Sequence, residues 1–252
     1  MKDLVSIIMP SYNTAGFIAD SIKSVLAQTY DNFELIIVDD CSTDNTDEVV
    51  SFFEDPRIRY FKNEKNSGAA VSRNRALREA KGKWIAFLDS DDIWAPQKLE
   101  KQIAFMENGG YGFSYTNYVE ISENGEQLGI LVTGPKKIIK AGMFNYCWPG
   151  CLTVMYDAEK VGLVQIADIK KNNDYAMWLK VARKQDCYLL DENLASYRKR
   201  SGSISRHGYL SLIKWHYKLY KEAEEMCVVV SLFNTARNLL FGVIKKFRYV
   251  KK

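Results

Sequence analysis

The stretch FELIIVDD, Phe33 to Asp40, is an unbroken apolar run that ends in two acids. A strand with one wet face alternates apolar and polar side chains, so a continuous run predicts a strand covered on both faces, as in a parallel sheet. The flanking sequence repeats the theme. VSIIMP, from Val5, and KWIAFLD, ending at Asp89, predict two more strands of this kind, with RIRYF (57–61) as a short one between them. Between strands the period becomes helical. Ile18, Ile22, Val25 and Leu26 share one helix face, and Val49, Val50 and Phe53 form a second after the Ser/Thr/Asp caps of STDNT, stopped at Pro56. GAAVSRNRALREAKG makes a third helix, closed by Gly82. Strand and helix in alternation imply an α/β fold with a doubly wound, mainly parallel sheet.

Ligands of such sheets bind beyond the carboxyl ends of the strands. Each strong strand here ends in polar residues: Ser11, Tyr12 and Asn13; Asp39 and Asp40; and Asp89, Ser90, Asp91 and Asp92. The dinucleotide fingerprint G-x-G-x-x-G and the phosphate loop G-x-x-x-x-G-K-[ST] are both missing, which argues against NAD and against ATP held in a P-loop. In WIAFLDSDDIW (84–94) the i and i+2 side chains of an extended segment face one way about 7 Å apart, so Asp89 and Asp91 can turn toward one spot. Two hard oxygen ligands suit Mg²⁺ or Mn²⁺, whose shell a diphosphate would complete. The competing reading is that Asp91 or Asp92 caps a helix around 96–106 with Leu99, Ile103 and Met106 as its buried face; one cap accounts for one aspartate and leaves the others repelling each other.

Composition narrows the class. With 252 residues, 47% of them hydrophobic, the chain can bury a sizeable core. Five cysteines, Cys41, Cys147, Cys151, Cys187 and Cys227, occur with two histidines and no zinc spacing, which reads as reduced thiols. The N-terminus enters a core strand directly, so no signal peptide is read and a cytoplasmic location is expected. From Arg206 onward ten Lys/Arg face three Glu, a surplus of seven in a chain of net charge +4; the first 205 residues therefore carry −3. Positive charge belongs to the tail, and no nucleic-acid partner is expected.

The segments VSIIMPSYNTAGFIADSIKSVLAQTYDNFELIIVDDCSTDNT and NSGAAVSRNRALREAKGKWIAFLDSDDIW resemble the donor half of family 2 glycosyltransferases of GT-A fold, over roughly residues 4–108. The resemblance implies that Pro10, Ser11 and Tyr12 hold the nucleoside, with the tyrosine ring against the base, and that Asp39 and Asp40 read uracil. It implies that Gly68 and Arg73 line the nucleotide, and that Asp89 and Asp91 are the D-x-D pair, Asp91 on the metal and Asp89 nearer the ribose. A cation there would neutralise the charge of the departing diphosphate.

Beyond Asn108 the pattern changes. GGYGFSYTNYVEISENGEQLGILVT reads as two extended segments around Asn124-Gly125, an antiparallel element of the acceptor side. CLTVMY (151–156) reads as a strand. NNDYAMWLKVARK opens a helix with Trp178, Leu179 and Ala182 on its apolar face and Asp174 in its first turn, where a helix-dipole partner is the plain alternative. The resemblance makes Asp174 the catalytic base, although Asn173 stands where the family usually has Glu. It also makes Arg198 and Arg200, in YRKRSGSISR, phosphate clamps. Trp148 is a candidate sugar-stacking platform.

From Val229 to Phe247 an apolar stripe recurs at helical spacing and ends among Lys245, Lys246, Arg248, Lys251 and Lys252. Asn234, Arg237 and Asn238 interrupt it, so a helix lying in a membrane interface fits better than a span, with docking on the protein's own core as the rival. Three parts are expected: 1–108 for the nucleotide sugar, 109–205 for the acceptor and base, and 206–252 as a basic amphipathic helical tail. The expected activity is inverting transfer from a nucleotide sugar, a UDP-sugar first, to a glycan or lipid-linked acceptor in surface-polysaccharide synthesis, at the inner face of the cell membrane. A non-catalytic nucleotide-binding or glycan-binding module and a sugar nucleotidyltransferase stay open; the latter would need a glycine-rich basic loop, and SYNTAGF has no Lys or Arg.

Overall fold

The computed structural model describes residues 2–200 and 209–252. The first hundred residues follow the alternation read from the sequence: β1 (Val5–Ser11), α1 (Ile18–Leu26), β2 (Phe33–Asp39), α2 (Thr46–Ser51), β3 (Ile58–Lys62), α3 (Ala69–Glu79) and β4 (Trp84–Phe87). These four strands are parallel in the order β3-β2-β1-β4. The register sets Ser11 opposite Asp39, so the carboxyl ends of the two central strands are level.

Every residue of β1 and β2 is buried, as an unbroken apolar run requires. Odd positions, Ile7, Met9, Leu35 and Ile37, face a layer that includes Ile18, Ile22, Leu99 and Ile103; even positions, Ile8, Ile36 and Val38, face one that includes Leu77, Trp178 and Leu179. Each such side chain removed from water contributes about 1.5–3 kcal/mol before the entropy of ordering is counted.

The second half continues the same sheet. It contains β5 (Ile93–Trp94), α4 (Lys98–Gly109), β6 (Phe113–Ile121), β7 (Gln127–Val132), β8 (Lys137–Ile138), α5 (Lys140–Asn145), β9 (Met155–Asp157), α6 (Ala158–Val161), α7 (Asn173–Ala182) and β10 (Cys187–Arg198). The antiparallel pair expected around Asn124-Gly125 is β6 and β7, with Gly125 at positive φ in the turn. Through β9, antiparallel to both β4 and β6, this region joins the parallel half without a break. CLTVMY is corrected: Cys151–Thr153 forms a 3₁₀ turn, and the strand starts at Met155. The long β10 runs parallel to β6 and antiparallel to β5 and β8.

After α8 (Tyr209–Lys218) and a π-helical turn, α9 (Val228–Arg248) crosses the protein and leads into β11 (Val250–Lys251), paired with β7. The interruptions read in its stripe have an unexpected place. Ser231, Asn234, Thr235 and Asn238 are the buried residues of α9, while Leu232, Phe233, Leu240, Val243 and Phe247 are exposed.

Candidate active site

The ends of β1 and β2 are locked to each other before any ligand is considered. Asn13 and Cys41 both take left-handed backbone conformations, which turn the chain sharply after each strand. The Asn13 side-chain carbonyl accepts from Thr43 N–H at 2.8 Å, and Asn13 N–H donates to Ser42 Oγ at 2.9 Å. Asp39, fully buried, accepts from Ser42 N–H and from the Ser42 hydroxyl. Pro10 and Ser11 are buried beneath this turn, whereas the Tyr12 side chain, 44% exposed, stands at the open end of the strand. An exposed aromatic ring there suits a stacking surface.

Asp40 ties the neighbouring loop. One of its oxygens accepts from Asn63 Nδ2 and Ser67 N–H, both at 2.9 Å, and the other from Gly68 N–H at 2.6 Å and Ser67 N–H at 3.1 Å. Three donors, with the Ser67 N–H shared between both oxygens, thus hold this carboxylate. Asp40 thereby anchors the loop ahead of α3. Gly68 closes that loop at φ +91°, which a side chain would strain.

Arg73, on α3, is the hub of the site. Its guanidinium, 7% exposed, donates from Nη1 to Asn173 Oδ1 at 2.8 Å and from Nη2 to Asp89, with which it forms an ion pair. Burial alone would lower its pKa, but the charges of Asp89 and Asp174 outweigh that and hold it above the ordinary value. Asp174 lies in the first turn of α7. Burial raises its carboxyl above the usual aspartate value; Arg73 pulls the other way, and Asp89 adds to the rise. Residues 73, 89, 173 and 174 thus meet although up to a hundred positions separate them.

The acidic segment after β4 is crowded. Asp91 is raised by burial and then by the Asp89 charge, against the pull of Arg200 and Arg198; Asp92 is raised further, by burial and by both neighbouring carboxylates. The helix-cap alternative does not hold, because α4 has Gln97 at its N-cap and no side-chain cap bond. Asp92 instead accepts from Arg198 N–H at 2.8 Å, fastening β10 beneath the acids.

Arg198 is corrected as a phosphate clamp. It is 3% exposed, and its guanidinium is spent on Asp91 O, Glu123 O and Asp20 Oδ2 at 2.9, 2.8 and 3.1 Å. Arg200 is more accessible, with Nε 2.7 Å from Asp91 Oδ2. The remainder of that loop, Ser201 to Gly208, lies outside the described residues. Trp148 is likewise corrected as a stacking platform. It is 5% exposed, donates from Nε1 to Gly142 O at 3.0 Å, and meets Tyr146, Phe241 and Tyr249 edge to face.

Among the described residues no group of three or more His, Cys, Asp or Glu forms a ready metal cage. Asp89 and Asp91 nonetheless fit a cation that shares its shell with phosphate: two hard oxygen donors, with the Asp89 charge close enough to raise Asp91 and arginines paired to each. Sequence reasoning missed the bond that Asn173 accepts from Arg73, and it missed Asp44, whose Oδ2 takes Ala15 N–H at 3.0 Å while Oδ1 accepts from Thr46 N–H at 3.1 Å. The run S-T-D-N-T carried a local signal for Asp44. Nothing local marked the bond between Asn173 and Arg73.

Comparison with known proteins places the chain in one family. The family model described as "Glycosyl transferase family 2" matches residues 6–150. TuaG of Bacillus subtilis (strain 168), provisionally named a teichuronic acid biosynthesis glycosyltransferase, is 41% identical over 228 residues, covering 89% of this chain and 90% of its own. WfgD of Escherichia coli, named a UDP-Glc:alpha-D-GlcNAc-diphosphoundecaprenol beta-1,3-glucosyltransferase, is 43% identical over 211 residues, 83% of this chain and 82% of its own. The crystal structure of S. aureus TarS 1–349 in complex with UDP-GlcNAc superposes with a TM-score of 0.74 at 20% identity, covering 94% of this chain and 72% of that one, and shows the GT-A fold. By the extent of the family match and the likeness to these relatives over most of their length, the chain belongs to glycosyl transferase family 2.

Proposed function

We propose that the protein transfers a sugar, with inversion, from a UDP-sugar to a lipid-linked glycan precursor in bacterial surface-polysaccharide synthesis. The observation that carries the reading is the Arg73 bridge, which joins the acids at the end of β4 to the start of α7, where Asp174 stands. Diphosphate handling and proton removal are thereby tied to one rigid cation. WfgD's name supplies the donor and acceptor classes for that relative, and the chain spans most of its length.

In this reading Tyr12 stacks on the base, Asp39 lies below it, and the Gly68 loop borders the diphosphate. Asp89 and Asp91 would hold Mg²⁺ or Mn²⁺, which when bound supplies positive charge to offset that gathering on the leaving diphosphate. Arg200 adds a second positive charge beside Asp91. Asp174 removes the acceptor hydroxyl's proton as the oxygen attacks the anomeric carbon from the face opposite UDP. Burial raises its pKa, which makes it a stronger base than an ordinary aspartate. The protein works at the inner face of the cell membrane, and its C-terminal segment, with six Lys/Arg and no acid from Val228 to Lys252, adds electrostatic attraction to anionic lipid.

The test is turnover with UDP-sugars and a lipid-diphosphate-sugar acceptor, following UDP release and the configuration of the product by NMR. Asp174→Asn should keep UDP binding and lose about 10²- to 10⁴-fold in kcat. Release of inorganic diphosphate would point to a nucleotidyltransferase, and a retained anomeric configuration or normal turnover in Asp174→Asn would remove the role given to Asp174.

A further inference from the structure

Helix α9 is folded inside out. In water an amphipathic helix turns its apolar stripe to the protein and its polar face to solvent. Here Leu232, Phe233, Leu240, Val243, Ile244 and Phe247 all lie exposed, Phe247 at 84%, while the opposite face carries the buried Ser231, Asn234, Thr235 and Asn238. An apolar ridge of this length, about 22 Å from Leu232 to Phe247 at 1.5 Å per residue, marks an interaction surface.

The polar face is a specific dock. Asn238 Nδ2 donates to the hydroxyls of Tyr175 and Tyr220 at 3.1 and 3.3 Å, and Lys245 Nζ donates to Trp148 O at 2.9 Å. The helix is long and apolar enough to cross a bilayer, but a crossing would strip these bonds and leave Asn238 and Lys245 in hydrocarbon. Charge selects the partner. Lys246, Arg248, Lys251 and Lys252 are exposed at the ridge's end, and no acid occurs from Val228 to Lys252. A second copy of this face offers no acid to answer the basic rim; an anionic lipid surface answers both the ridge and its rim.

We infer that the outer face of α9 lies flat in the interfacial layer of an anionic bilayer, its ridge among the acyl chains and its basic end among the headgroups. The inference rests on the membrane attachment proposed above and names the surface that makes it. Since Asn238 binds the residue next to Asp174, the seat and the helix that carries the base form one body, and the site is held at a fixed height over the lipid.

Flotation of the full chain with vesicles of phosphatidylcholine and phosphatidylglycerol tests it. Wild type should bind, and the variant Phe233→Ser/Leu240→Ser/Phe247→Ser should bind at least about 100-fold more weakly at low and at high salt. Lys246→Ala/Lys251→Ala/Lys252→Ala should lose only the salt-sensitive part. All six positions are exposed, and thermal melts of both variants should match wild type. Wild type that ignores these vesicles would overturn the attachment and this surface together. Wild type that binds while the serine variant binds equally would leave the attachment standing and overturn the surface. A wild-type dimer in sedimentation that the serine variant dissolves, without vesicle binding, would make the ridge an interface between copies and overturn it too.

Discussion

Arg73 Nη1 donates to Asn173 Oδ1 across 2.8 Å, so the helix that lines the donor side and the helix that carries Asp174 are joined by one buried guanidinium. The same cation restrains the pKa of Asp174, which burial pushes up.

A pH dependence follows. Activity needs Asp174 ionised, so kcat/KM should fall on the acid side through a pKa above the ordinary aspartate value. Arg73→Met removes the charge that opposes the rise and should move this acid limb up by about 1–3 pH units, with a loss in kcat/KM at neutral pH. Rate profiles of the two proteins from pH 5 to 9 would decide it; an unmoved limb would separate Arg73 from the base.

Asp91→Ala should abolish metal-dependent binding of UDP. The mutual repulsion of Asp89, Asp91 and Asp92 is also relieved by the change, so the variant should melt at or above the wild-type temperature in the absence of metal. Calorimetry with Mn²⁺ and UDP checks the first part. Unchanged affinity would place the cation elsewhere.

Asp40→Ala should destabilise the fold by about 2–4 kcal/mol, since Ser67 N–H, Gly68 N–H and Asn63 Nδ2 lose a charged acceptor in a mostly buried place. UDP binding should weaken with it as the Gly68 loop loosens. Denaturant melts are the measurement, and a variant as stable as wild type would return Asp40 to direct ligand contact.

Lys98 is fully buried, donates to Gln102 Oε1 at 2.7 Å and stands 4.1 Å over the Trp94 ring, and burial lowers its pKa from 10.5 to about 7. Between those values the unfolded chain binds the proton and the folded chain does not, so stability from this group rises with pH across the window; below about pH 7 the cost of the buried charge is carried in full. Lys98→Met should therefore gain about 2–4 kcal/mol relative to wild type at pH 6, less about 1 kcal/mol for the partner lost to Gln102, and gain little at pH 10. Urea titrations at the two pH values test it, an equal difference at both being the contrary result.

The parallel half was legible because its information is local. FELIIVDD can satisfy an unbroken apolar run only between two covering layers, and the helical spacing of Ile18, Ile22 and Val25 names one of those layers. The acids at the strand ends were visible for the same reason: a buried strand that stops in Asp89, Asp91 and Asp92 must surface there. By itself, then, the sequence determined the α/β class, the family, the edge of the sheet that bears the site, and the residue types gathered on it.

Which of those residues point at a ligand, and which hold the scaffold, was decided by tertiary structure. Asp40 and Arg198 have the chemistry of ligand contacts, yet loop amides and backbone carbonyls consume them; Trp148 has the ring of a sugar platform and is walled in by Tyr146, Phe241 and Tyr249. The orientation of α9 belongs to the same class. Periodicity showed that the helix has an apolar and a polar face, but which of them meets the protein depends on hydroxyls of Tyr175 and Tyr220, remote in sequence, that bind Asn238. A side chain's chemistry is written in its own residue, whereas its partners are set by chain segments far away, and burial with satisfied hydrogen bonds converts one and the same residue type from a ligand contact into a tie.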